Sequence, residues 1–134
     1  MLKKIALICC VFLIAGCNST KLGGGIYLLE GDRAEDRIIV KCTGQNFNEC
    51  ITGDYLIPRS YNDHFDSNGH YVEYVEKVKS NRTYIIATSI LVSSNEKRYW
   101  IIIKRGRPTI EVLGPLDYNS FNIELKKNNV RLNF

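Results

Sequence analysis

Histidine is nearly missing from this chain of 134 residues; the two present, His64 and His70, fall in one short segment. Acid–base catalysis draws on histidine more than on any other side chain, so general-base chemistry has few candidates. No Gly-x-Ser-x-Gly elbow occurs to raise a nucleophilic serine. The run Gly23-Gly24-Gly25 is not followed by lysine and threonine at phosphate-loop spacing. An excess of one charge is lacking too: 18 basic against 14 acidic residues leave +4, which calls for no nucleic acid. Carboxylate pairs such as Glu73 with Glu76, or Asp32 with Glu35, are ordinary surface features. The expectation is a protein with no catalysis, no cofactor and no metal.

A membrane-spanning run is also absent from the amino terminus. The apolar stretch from Ile5 to Ile14 is about half of the roughly 20 residues that a spanning helix needs. It has no polar face, which a helix packed on a domain would require. Lys3 and Lys4 precede it, and Ala15-Gly16 lead out of it into Cys17. A basic head, a short apolar stretch and a small-residue exit form the pattern of an export signal. Ile14-Ala15-Gly16-Cys17 resembles the lipobox of bacterial lipoproteins. That resemblance implies cleavage before Cys17, diacylation of its sulfur and acylation of its new amine. One acyl chain holds a protein only marginally, at about 0.8 kcal/mol per buried methylene, whereas three make a permanent tether. Asn18 rather than aspartate follows the cysteine, which by the family's sorting rule implies the outer membrane, facing the periplasm. In a host with one membrane the protein would sit on that membrane's outer face. The expected organisation is a cleaved signal peptide over 1–16, the lipidated cysteine and a flexible tether over 17–25, and one globular β-rich domain over 26–134. Loss of Lys3 and Lys4 lowers the basic count from 18 to 16 and the net charge from +4 to +2.

Of five cysteines, Cys9 and Cys10 leave with the signal and Cys17 takes the lipid. Cys42 and Cys50 remain, an even pair in an oxidising compartment, and the reading is a disulfide closing the loop Thr43 to Glu49. A loop so short is stabilised by roughly 2–3 kcal/mol. The alternatives are a metal pair or a reactive thiol, but the spacing matches neither zinc ligands nor Cys-x-x-Cys.

Strand signals fill the rest. Ile26 to Leu29, Arg37 to Cys42 and Tyr55 to Ile57 are short β-prone runs, the last stopped by Pro58. Residues 59–70 concentrate turn formers together with Asp63, His64, Asp66 and His70. Asp66-x-Asn68-Gly69 falls short of a calcium loop, because the twelfth position holds Val75 and not glutamate. A solvated loop open to a partner is the expectation for these four residues. Tyr71 to Lys79 reads as a strand with Val72, Tyr74 and Val78 on one face. Thr83–Val92 and Arg98–Lys104 form a hairpin at the centre; both faces of the second strand are apolar, which places it inside the sheet and covered on both sides. Lys104-Arg105-Gly106-Arg107-Pro108 is a basic turn that could meet anionic headgroups. Thr109–Leu113 is a further strand ended by Gly114-Pro115. Tyr118, Phe121 and Leu125 recur at helical intervals, with Asp117 or Asn119 to cap the start and Lys126 and Lys127 at the end. Val130 to Phe134 is consistent with a last strand. The fold class expected is α+β, mostly antiparallel β-sheet with one C-terminal helix (about 117–127) packed on it.

Gly25-x-Tyr27-Leu28-Leu29 with Gly31-Asp32, then Ile57-Pro58, Tyr84-Ile85-Ile86-Ala87, and Arg98-Tyr99-Trp100-Ile101-Ile102 with Lys104, resembles a group of short bacterial lipoproteins of unassigned function. Lipoproteins of this size include immunity proteins that neutralise a neighbour's secreted toxin. The function expected is a lipid-anchored periplasmic binding module with a protein partner, of the immunity type. The alternatives are a structural or assembly lipoprotein of an outer-membrane complex, and an inhibitor of a cell-wall hydrolase that would use the 59–70 segment.

Overall fold

The computed structural model describes residues 18–105 and 109–134. The signal segment, the lipobox with Cys17, and Gly106 to Pro108 of the basic turn lie outside the described residues. In chain order the elements are β1 (Asn18–Gly23), β2 (Ile26–Glu30), β3 (Ile38–Asn46), β4 (Glu49–Ile57), α1 (Tyr61–His64), β5 (Glu73–Ser80), β6 (Tyr84–Leu91), β7 (Glu96–Ile103), β8 (Glu111–Leu116) and α2 (Tyr118–Lys127). They build two four-stranded antiparallel sheets in simple meander order, β1 to β4 and β5 to β8.

Alternation along the strands makes the layers. Ile26, Leu28, Ile39 and Ile57 of the N-terminal sheet pack against Val75, Ile85, Ala87, Trp100 and Ile102 of the C-terminal sheet, all buried. The opposite face of β7 carries Ile101 and Ile103, which with Ile86 of β6 pack under Phe121 and Leu125 of α2. β7 is therefore covered on both sides, as its two apolar faces require. The mostly antiparallel sheet architecture and the C-terminal helix packed on it agree with the sequence. Asp117 caps α2 by accepting the Ser120 N–H (2.7 Å), and Lys126 and Lys127 occupy its last turn. Tyr118 stays exposed and meets Tyr99 edge-on, so the helical stripe is narrower than its spacing suggests.

Four local readings are corrected. Residues 18–23 are not slack: they form β1, paired with β2 from Asn18↔Glu30 to Gly23↔Ile26. Within β5, a bulge between Val75 and Lys77 flips the alternation, so Val75 and Val78 face the core rather than Val72 and Tyr74 with Val78. The strand after the basic turn runs through Gly114-Pro115 to Leu116 instead of ending there. Residues 130–134 form no strand; Val130 and Leu132 simply pack on the α2 side of the core. The basic turn also differs from a lipid contact at its first residue. Lys104 donates from Nζ to the carbonyls of Leu22 (2.7 Å) and Asn81, which joins the two sheets at the β1–β2 turn. Burial lowers its pKa.

Trp100 holds the sheet interior together. Its Nε1–H donates to Ser89 Oγ (2.7 Å), whose hydroxyl donates to Glu73 Oε2 (2.6 Å). Arg98 Nε lies 3.5 Å from that same carboxylate oxygen. Buried Glu73 and Ser89 are thus satisfied in a continuous polar chain, which a dry interior demands. The indole face lies against Gly114, where a Cβ would come within 2.6 Å of Cε3, and the φ of +141° there strains any other residue. Gly114→Ala should therefore destabilise the protein by about 2–3 kcal/mol. Urea denaturation followed through Trp100 fluorescence measures it, and an unchanged midpoint would refute this packing account.

Candidate functional site

The β3–β4 hairpin builds a concavity on the outer face of the N-terminal sheet. Straight pairing would carry its distal half beyond the β1–β2 turn, away from Ser19. Instead the register slips between Cys42 and Gly44 and again between Gly44 and Gln45. Such irregularities bend and twist a strand pair, and Gly53 lets the strands close, since a Cβ there would meet Val40 Cγ2 at 2.6 Å. The arm folds back over the outer face of the N-terminal sheet. Gln45 Nε2 donates to the Tyr27 hydroxyl (2.7 Å), and at the far edge Cys50 N–H donates to Ser19 Oγ (3.1 Å). Ser19 Oγ–H in turn donates to Glu49 Oε2 (2.7 Å). A disulfide between Cys42 and Cys50, Cα atoms 5.8 Å apart, braces the arm. The expected disulfide is present, but Thr43 to Glu49 is a strand pair closed by a Phe47-Asn48 turn and not an irregular loop.

Between arm, sheet and α1 lies a groove of about 500 Å3, within the range of ligand sites. Leu29, Ile38, Cys50, Ile51, Tyr55 and Phe65 make its walls apolar. Among the described residues its lining carries three carboxylates, Glu30, Asp36 and Glu49, and no lysine or arginine. Glu30 has Arg37 Nε at 4.0 Å behind it. Ile51 stands 61% exposed at the mouth, a large apolar side chain with no packing role of its own.

Residues 59–70 are mostly exposed, as a solvated segment should be, but they include the short helix α1 and one side chain turned inward. Ser60 caps α1 through Oγ, which accepts the Asp63 N–H (3.2 Å). Val72 N–H donates to the His64 carbonyl (2.8 Å), tying α1 to the strand that follows. His64 is buried, its ring among Phe65, Tyr71 and Tyr55 at centroid distances of 4.2, 5.7 and 6.1 Å. Its Nδ1 lies 2.7 Å from the Glu73 carbonyl, which can only accept, so Nδ1 carries the proton. This corrects its expected place in an exposed contact loop: of Asp63, His64, Asp66 and His70, only His64 lines the groove. Asp63 serves the α1 cap. Asp66 Oδ1 accepts the Asn68 and His70 N–H groups (2.9 Å each), which hold the turn. The His70 N–H bond is the leading cause of Asp66's lowered pKa. Ten of its twelve residues are exposed, and His64 with the half-buried Phe65 are the two that turn inward.

At the groove's inner end Tyr71 donates its hydroxyl to Asp36 Oδ1, while the Arg33 N–H donates to Oδ2 (3.0 Å). Partial burial alone would raise the Asp36 pKa, but these two hydrogen bonds outweigh it and hold the carboxyl below its usual value. The same bond holds the Tyr71 phenol above its usual value. Among the described residues no three His, Cys, Asp or Glu side chains gather as a metal cluster, and no helix is long and apolar enough to cross a membrane. Compared with protein-family models, curated proteins and solved structures, the chain finds no match in any of the three.

The sequence did not single out Ile51 and Phe47, because the strand expected before them ends at Cys42 and the one after them begins only at Tyr55, whereas the two strands run on to Asn46 and start from Glu49. The signal available was Asn48, a residue that tolerates the left-handed turn, set midway between residues of strand-forming type.

A carboxylate with a depressed pKa stabilises the fold above the ordinary carboxyl range, and that contribution disappears as pH falls through the depressed value. Tyr71→Phe should accordingly cost about 1 kcal/mol near pH 7, a charged hydrogen bond discounted for exposure. The gap from the parent should narrow below roughly pH 4. Denaturation midpoints across pH read both effects, and a gap constant down to strong acid would contradict them.

Proposed function

We propose that this chain is a lipid-anchored periplasmic binding module, held to the outer membrane through Cys17, that works by occupying a protein partner and not by chemistry. The groove under the disulfide-braced arm is the contact site. The observation that carries this reading is the groove's composition: among the described residues, apolar walls with three carboxylates and no basic residue. Such a surface suits an apolar side chain flanked by lysine or arginine on the partner. The partner class proposed is a secreted toxin, which a neutralising protein need only cover. Rigid walls favour that task, because a groove pinned by a disulfide and by Ser19 loses little conformational freedom on binding.

Two measurements test the reading. Deleting the gene should make cells lose in co-culture with their toxin-producing siblings. The native chain should restore survival, and Ile51→Glu, which alters the groove mouth but no core contact, should not. Equal survival of the deletion strain would end the neutralisation proposal. Separately, Cys17→Ala should leave the membrane pellet; a variant that still sediments with membranes after a salt wash would overturn the anchor.

A further inference from the structure

We propose that the tip of the β3–β4 hairpin is a second membrane contact, with Phe47 seated in the interfacial layer of the leaflet that carries the anchor; this rests on lipidation of Cys17. Phe47 is 93% exposed, more than any other large apolar residue among those described. It also adopts φ +51° beside Asn48 at φ +66°, a two-residue turn that favours asparagine or glycine at both positions. The fold therefore gains nothing from phenylalanine there: the backbone disfavours it and no neighbour buries it.

Position supplies the occupant. Cys17 adjoins Asn18, the first residue of β1, and consecutive Cα atoms are about 3.8 Å apart. Lipid on Cys17 thus brings the start of β1 to the membrane surface with no intervening linker. The hydrogen bonds from Cys50 N–H to Ser19 Oγ and from Ser19 Oγ–H to Glu49 hold the hairpin tip beside that same end of β1. The disulfide keeps the tip ordered, so an apolar side chain is presented without loss of chain freedom. Phenylalanine, with tryptophan and leucine, is among the side chains that interfacial segments bury at the boundary of headgroups and acyl chains. No basic residue lies in Asn46 to Glu49, so the contact is apolar and indifferent to anionic headgroups. Lys104, whose basic turn would have suited such headgroups, packs at the β1–β2 turn, the opposite end of β1.

The test uses the full lipidated chain, extracted from its own membranes and reconstituted into phosphatidylethanolamine–phosphatidylcholine vesicles. Flotation first establishes that it is anchored. Phe47→Trp should then fluoresce to the blue of an exposed indole and be quenched when the vesicles carry lipids brominated near the headgroup. The buried Trp100 of the parent supplies the background. Arg105→Trp, at the far end, should be unquenched, and added phosphatidylglycerol should change neither signal. Hydrogen exchange gives a reading on the unsubstituted chain: the amides of Asn46 to Asn48 should be slowed on vesicles, and Phe47→Asn, which suits the turn better, should abolish that slowing. A chain that floats while position 47 stays unquenched and exchanges freely overturns the tip contact and leaves the anchor standing. A chain that does not float removes the anchor, and this proposal falls with it.

Discussion

Everything in the C-terminal sheet is arranged around the indole of Trp100. A buried indole must satisfy its N–H, and here that requirement propagates through Ser89 to Glu73, and from Glu73 to Arg98. Its face demands a neighbour without a side chain, which Gly114 supplies on β8. Arg59 covers the ring from the crossing between the sheets, its guanidinium 5.8 Å from the centroid while it donates to the carbonyls of Val112 and Gly114. One side chain thereby fixes the register of β6 against β7, the path of β8 and the approach of the N-terminal sheet. Interiors packed at crystal-like density leave little room for a different arrangement.

The two-faced strand β7, the hairpin with β6 and the capped helix α2 were legible in the sequence because each depends on periodicity or on local chemistry. Ile101 and Ile103 alternate with Trp100 and Ile102, and two faces of that kind have to be covered whatever the topology. Two features depended on irregularity. A bulge is one unpaired residue, invisible to an alternation count, and bulges decide both the face of Val75 and the fold-back of the β3–β4 arm. The groove was hidden for the same reason: its lining comes from five separate places in the chain, and only the bent hairpin makes them neighbours. His64 illustrates the opposite failure. Its surroundings of Asn, Asp and Ser look solvated, yet a helix of four residues is enough to turn its ring inward onto Tyr55, Phe65 and Tyr71.

The outer face of the N-terminal sheet has a composition that a solvated face would not tolerate. Tyr27, Ile38 and Val40 are buried there, although among the described residues no second layer of sheet or long helix lies over them. The sheet covers itself with its own hairpin, and the cover is incomplete. What is left open is the groove, so the same bend that protects the apolar face creates the concavity beside it. Fold and concavity are in this respect one construction, and the disulfide secures both.

That residues 18–23 are paired strand bears on how the chain would find a target if it is anchored as proposed. A long flexible leash lets a domain sweep a hemisphere and meet partners well away from the bilayer, with a local concentration that falls as the leash lengthens. A chain anchored through Cys17, as proposed above, would have no such leash. Its capture radius would be that of the domain itself, and its search a lateral one, shared with whatever also resides on or passes through the same leaflet. A partner that reached the membrane would meet it at high surface density; one free in solution would first have to arrive there.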